Sequence, residues 1–150
     1  MQDVDTDKKG SIEILFDTMR DEPVANAEFT LYQVAAMVDR GGYTVLELTG
    51  GFEGCGVQLK NLTAQQSKDA SAALLEYQRA NHISGDTKRT DANGKISWTG
   101  LQTGLYLLVP GQMQKYRTDP SLVSIPTNLN AQLLYDMSAV SYTHLRAHET

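Results

Sequence analysis

Few side chains in this sequence are spaced for chemistry. Asp3, Asp5 and Asp7 alternate as the opening of a calcium loop does. Lys8 stands where that loop needs glycine and Ile14 where it needs its closing glutamate, so the run reads as an acidic leader. Cys55 is the single cysteine and cannot form an internal disulfide; it reads as a small buried or loop thiol rather than a redox nucleophile. His144 and His148 lie in a terminal segment treated below, and no pair of histidines or cysteines reads as a zinc site. His82 follows a helical pattern, where the terminal carbonyls favour positive charge. Asp21 and Glu22 are adjacent in a turn and read as solvated. The glycine-rich residues 49–56 (TGGFEGCG) lack both G-K-[ST] and G-x-G-x-x-G, so they do not read as a phosphate cradle. Asn61-Leu62-Thr63 fits the glycosylation triplet, a pattern common by chance. No nucleophile, base and orienting group come together in these patterns. The expectation is a chain that is no enzyme, with no catalytic residue, no cofactor and no metal.

The elements around these residues are mostly strands. Ile12, Ile14 and Phe16 alternate with Ser11 and Glu13, with Leu15 breaking the polar face. Phe29, Leu31 and Tyr32 open a strand that extends towards Val38, and residues 43–48 form another. In residues 90–110 (TDANGKISWTGLQTGLYLLVP) the reading is strand, tight turn, strand, tight turn, strand. Asn93-Gly94 is expected to supply the positive φ angles of a two-residue hairpin turn. Ile96 and Trp98 alternate with Lys95, Ser97 and Thr99, and Leu105, Leu107 and Val109 share one face of the next strand. Residues 63–81 read as the one helix. Thr63 and Gln66 form a capping-box pair, and Ala70, Ala73, Leu74 and Tyr77 recur on one face. That stripe is expected to be core rather than a groove for a partner.

The chain has 150 residues, enough for one domain with a real core, and its 41% hydrophobic content is that of a globular protein. The net charge of −5 is spread along the sequence, with basic pairs only at Lys8-Lys9 and Lys88-Arg89. No nucleic-acid footprint is expected. No apolar run is long enough to cross a bilayer, so no membrane contact is expected of this fragment.

The order D-x-x-G-x-x-x-[FW]-x-G-L-x-x-G-x-Y-x-L, running from Asp91 to Leu108, resembles the Cna B-type, prealbumin-like (SpaA-type) domain of Gram-positive sortase-assembled pilins and surface adhesins. Three further segments are similar to that family in order: residues 10–16 (GSIEILF), residues 23–32 (PVANAEFTLY), and the pair 122–126 (LVSIP) and 135–140 (YDMSAV). Asn26 stands where the family has glycine and tolerates the left-handed backbone nearly as well. The resemblance implies a mainly β fold, an immunoglobulin-like or prealbumin-like β-sandwich, with one inserted α-helix at about residues 63–82. It divides the chain into a flexible leader (1–9), a pilin amino-terminal-like domain (10–140) and a tail (141–150). The tail, SYTHLRAHET, resembles a translated sequencing adapter and is set aside from the fold.

The resemblance also implies a site. In the family, a glutamate matching Glu28 promotes an isopeptide bond between a first-strand lysine and a last-strand asparagine. A carboxylic acid with a raised pKa would relay protons while a neutral lysine attacks the amide. Leu15 occupies the lysine position, and Asn128 and Asn130 precede the last strand. Glu28 is therefore expected to be unused and the cross-link unformed. The family's attachment lysine and sorting signal are not in this sequence, which reads as truncated before them. The implied function is a structural domain of a secreted, cell-wall-anchored pilin or fimbrial subunit, contributing to adhesion. Its partners would be other pilin subunits, joined by a sortase. The alternative is an adhesin module that binds a host surface protein or glycan directly, with Tyr43, Tyr116 and residues 49–56 as its hints. A third class is an accessory domain of an enzyme.

Overall fold

The computed structural model describes residues 5–17, 22–57, 63–111, 116–117, 120–129, 132–142 and 144–145. In chain order the elements are β1 (Gly10–Asp17), β2 (Glu28–Arg40), β3 (Tyr43–Leu48), α1 (Ala64–Asn81), β4 (Asp86–Arg89), β5 (Lys95–Leu101), β6 (Gly104–Pro110), β7 (Tyr116–Arg117), β8 (Ser121–Ile125), β9 (Thr127–Leu129), β10 (Gln132–Leu134), β11 (Asp136–Tyr142) and β12 (His144–Leu145).

The fold is mainly β, as the sequence implied. One sheet has the order β11-β1-β5 and the other β3-β2-β6-β8. β4 and β3 share one edge of the long β2: β4 pairs with its first residues, β3 with its last. The two sheets close on an apolar interior that holds Ile12, Ile14 and Phe16 from β1, Phe29 and Leu31 from β2, Ile96 and Trp98 from β5, and Tyr106 and Leu108 from β6. Phe16 and Phe29 meet edge to face across it, with centroids 5.1 Å apart. The alternation of β1 and β5 thus faces the side that the sequence indicated. β6 is different. It is buried on both faces because it is central, and Leu107 and Val109 look the opposite way.

That second face is covered by α1. Tyr32, Val34, Phe52, Leu74, Leu107 and Val109 form a separate cluster there. The capping box is present: Thr63 Oγ1 accepts from Gln66 N, and Gln66 Oε1 accepts from Thr63 N. At the other end His82 closes the helix in the left-handed conformation, φ 52°, and its N–H points back to Arg79 and Gln78 carbonyls. The inward stripe is rotated from the expected one. Ala73 is exposed, whereas Ser71 is buried and donates to Ser67 O. The hydroxyl is satisfied within its own helix, so it enters the apolar side without an orphaned polar group.

The turns of residues 90–110 differ from expectation. β5 pairs with β1, and β4 and β6 pair with β2, so both connections cross between sheets rather than close hairpins. Asn93 does not take positive φ; Gly94 alone does, at 77°. Residues 91–94 form a turn closed by Gly94 N donating to Asp91 O, with the Asp91 carboxylate accepting from Asn93 N and Lys95 N. Those two amides hold the Asp91 carboxyl below its ordinary pKa. Asn26 takes φ 62°, as its place in the family pattern implied.

Backbone pairing does not stop at Val140. β11 continues through Ser141 and Tyr142 opposite Phe16 and Asp17, and β12 pairs with β7. A ladder is made of backbone groups and does not depend on which side chains they carry.

Candidate functional site

The feature with most functional content is the junction of the first and last strands. β1 and β11 pair in parallel over seven residue pairs, from Ser11↔Asp136 to Asp17↔Tyr142. β1 needs both neighbours, since its inward side chains are apolar and its backbone groups would otherwise be orphaned. Its start is the most elaborated end. Ser11 N donates to Tyr135 O at 3.0 Å, and Ser11 Oγ donates to Asp136 Oδ1 at 2.8 Å. A Cβ at Gly10 would collide with Tyr135 O and stand 2.6 Å from Ile125 Cγ2, so glycine is what permits this approach. Tyr135 is buried, and its hydroxyl accepts Asp5 N at 2.9 Å. Lys8 Nζ lies 4.4 Å from the centre of the same ring. Asp5 and Lys8, from the leader, thus both contact Tyr135. Sequence inspection picked out Tyr135 only as a strand start. Its place in the core and its hydroxyl's bond to Asp5 depend on contacts up to 130 residues apart.

Glu28 stands away from this junction. Its neighbours Ala27 and Phe29 are buried and face the interior, which turns Glu28 to the outside of its sheet. There it ion-pairs with Arg89 at 3.1 Å, both side chains being partly solvated. Leu15 also points outward: the interior positions of β1 are Ile12, Ile14 and Phe16, each 0% exposed. A lysine at position 15 would therefore sit on the outer face. Asn128 lies on β9 opposite Leu133, and Asn130 lies outside the described residues.

The other sequence candidates are scattered. Asp7 N donates to Asp5 Oδ1 in a local turn, and Asp3 lies outside the described residues. No group of three or more His, Cys, Asp or Glu is placed to hold a metal among the described residues. Asp21, Asn61 and Leu62 lie outside the described residues. Residues 49–56 form a plug rather than a cradle. Phe52 is fully buried between Tyr32 and Tyr77, at centroid distances of 6.4 and 6.1 Å. Gly51 N is taken by the Glu53 carboxylate. Cys55 packs half-buried against the same cluster. Tyr43 is exposed on the β2–β3 hairpin, and the side chain of Tyr116 lies outside the described residues. Tyr106, the tyrosine of the Asp91–Leu108 motif, takes a structural role that the motif did not specify: it is buried and donates to Gln102 O at 2.7 Å, four residues upstream. This ties the β5–β6 crossing down in the manner of a tyrosine corner, and burial pushes the phenol up to about 12.

No family model matches the chain, and no curated protein matches it in sequence. Solved structures do match in fold. The full-length major pilin SpaD of Corynebacterium diphtheriae matches with TM-score 0.61 at 20% identity, over 95% of this chain and 32% of that one. The SpaE basal pilin of Lactobacillus rhamnosus GG matches with TM-score 0.57 at 14% identity, over 91% of this chain and 49% of that one. The C. diphtheriae major pilin SpaA, whose structure is described as pointing to modular assembly with stabilising isopeptide bonds, matches with TM-score 0.52 at 22% identity, over 90% and 30%. The chain spans about a third of the length of those major pilins. Across nearly all of its length, it has the β fold of Gram-positive pilin domains.

Proposed function

We propose that this chain is a structural domain of a pilin or fimbrial subunit, displayed at the cell wall of a Gram-positive bacterium and contributing to adhesion as part of a fibre. The domain catalyses nothing in this reading. Its partners are further pilin subunits, joined by a sortase. The observation that carries the reading is the parallel pairing of β1 with β11. Tension along a fibre pulls the start of β1 and the end of β11 in opposite directions. In a parallel pair these are opposite ends of the ladder, so the strands must slide and many hydrogen bonds share the load. In an antiparallel hairpin, the same pull would peel bonds one at a time. Forced unfolding follows the unfolding barrier, and shear raises it. The likeness to the pilin structures supports the same reading at the level of fold.

Force spectroscopy tests it. The chain is pulled by its two ends, and in a second geometry from its first residue against an anchor at Gly41, on the β2–β3 hairpin. The end-to-end geometry is expected to need clearly higher force. Equal forces in the two geometries would remove the mechanical argument.

A further inference from the structure

Asn93-Gly94 is a chemically reactive pair that the structural role leaves unused. An asparagine followed by glycine has no Cβ on the next residue to hinder attack on its own side-chain amide, and asparagine is among the thermolabile residues. We infer that Asn93 is a gated deamidation site, protected while β1 holds Gly94 in place and reactive once that end of β1 lets go.

Hydroxide removes the Gly94 N–H proton, and the nitrogen attacks Asn93 Cγ. The new Cγ–N bond closes a five-membered succinimide, the Cγ–Nδ2 bond breaks, and ammonia leaves with a proton from water. Water then opens the ring at either carbonyl, giving aspartate or isoaspartate. The balance is amide plus water to carboxylate plus ammonium, with no oxidant or metal.

The folded geometry opposes the first step in three ways. The Gly94 N–H that must be lost is donated to Asp91 O at 2.9 Å. The Gly94 carbonyl accepts Phe16 N at 2.8 Å, which ties Gly94 through its following peptide to the end of β1. Gly94 is itself buried: a Cβ there would stand 2.6 Å from Phe16 O, 3.3 Å from Pro23 Cβ and 3.3 Å from Val24 N. These contacts hold Gly94, and with it the Asn93–Gly94 peptide, in its seated position. Asn93 itself is exposed, so water and hydroxide reach it freely. Detachment of β1 removes the Phe16 bond and the Phe16 O contact together. Isoaspartate would then lengthen the backbone by a methylene and displace Gly94 from the Phe16 amide, so the strand end would not re-seat as before. The modification would be a lasting record of opening.

The test is peptide mapping by mass spectrometry with isoaspartate detection. The intact chain is incubated at mildly alkaline pH, folded in buffer and unfolded in urea. Asn93 is expected to convert at least about tenfold more slowly in the folded chain, since reaction waits on local opening. Asn26, which precedes Ala27, is the internal control and should lag behind Asn93 in urea. In urea below the unfolding midpoint, the Asn93 rate should rise in step with hydrogen exchange of the Phe16 amide, whose bond to Gly94 O marks the seated end of β1. Equal rates folded and unfolded, no conversion in urea, or a rate that stays flat while the Phe16 amide exchanges faster would each overturn the inference.

Discussion

Gly10→Ala is the sharpest perturbation of the first-to-last strand junction. Gly10 has an ordinary negative φ, so the added methyl strains no backbone angle. The difficulty is space, because the methyl collides with Tyr135 O and comes within 2.6 Å of Ile125 Cγ2. The isoleucine could turn aside, but the carbonyl oxygen is backbone. Either β1 or the Tyr135 peptide must retreat by about 1 Å to restore van der Waals separation, and Ser11 N then loses Tyr135 O. Overpacking costs about 1–3 kcal/mol and the lost hydrogen bond about 1 kcal/mol. Alanine returns about 0.4–1 kcal/mol by restricting the unfolded chain. The net loss is about 2–3 kcal/mol, or roughly 5–10 °C in Tm for a domain of this size. Gly41→Ala is the control. It has φ +63° and nothing within 4 Å, so it meets only conformational strain of about 1–2 kcal/mol, offset by the same unfolded-state gain. Denaturant and thermal unfolding measure both variants, and force spectroscopy follows. Gly10→Ala should lower both stability and rupture force, while Gly41→Ala should leave the rupture force unchanged. Equal effects of the two substitutions on rupture force would refute the claim that this junction takes the strain.

Three further outcomes follow from the same geometry. Leu74→Ala, at a fully buried position on the inner face of α1, should cost about 2–5 kcal/mol while the strand signal in circular dichroism persists below Tm. Tyr106 has its folded pKa raised from 10.0 to about 12 by burial, so its contribution is complete below pH 10 and falls as pH rises from there towards 12. Urea midpoints across that alkaline range should decline less steeply in Tyr106→Phe. The intact mass should equal that of the sequence, because Glu28 and Leu15 both face outward and the interior of β1 is apolar; loss of one ammonia would instead signal a cross-link.

The local elements were legible in the residues themselves. Alternation at Ile12, Ile14 and Phe16, and at Ile96 and Trp98, identified the buried faces, because side chains on a strand alternate whatever the partner. The Thr63–Gln66 capping box and the left-handed Asn26 were equally readable, since both depend on neighbours within a few residues. Tertiary structure decided everything that depended on who pairs with whom. Alternation carries no record of hydrogen-bond partner, so two apparent hairpins proved to be crossings between sheets. The stripe of α1 shifted from Ala73 to Ser71 because the docking angle on the sheet, not helical period alone, sets the inward face. The seat of Asp5 and Lys8 on Tyr135, and the parallel register of β1 with β11, join residues at opposite ends of the chain. Such contacts come into being only when the sandwich closes.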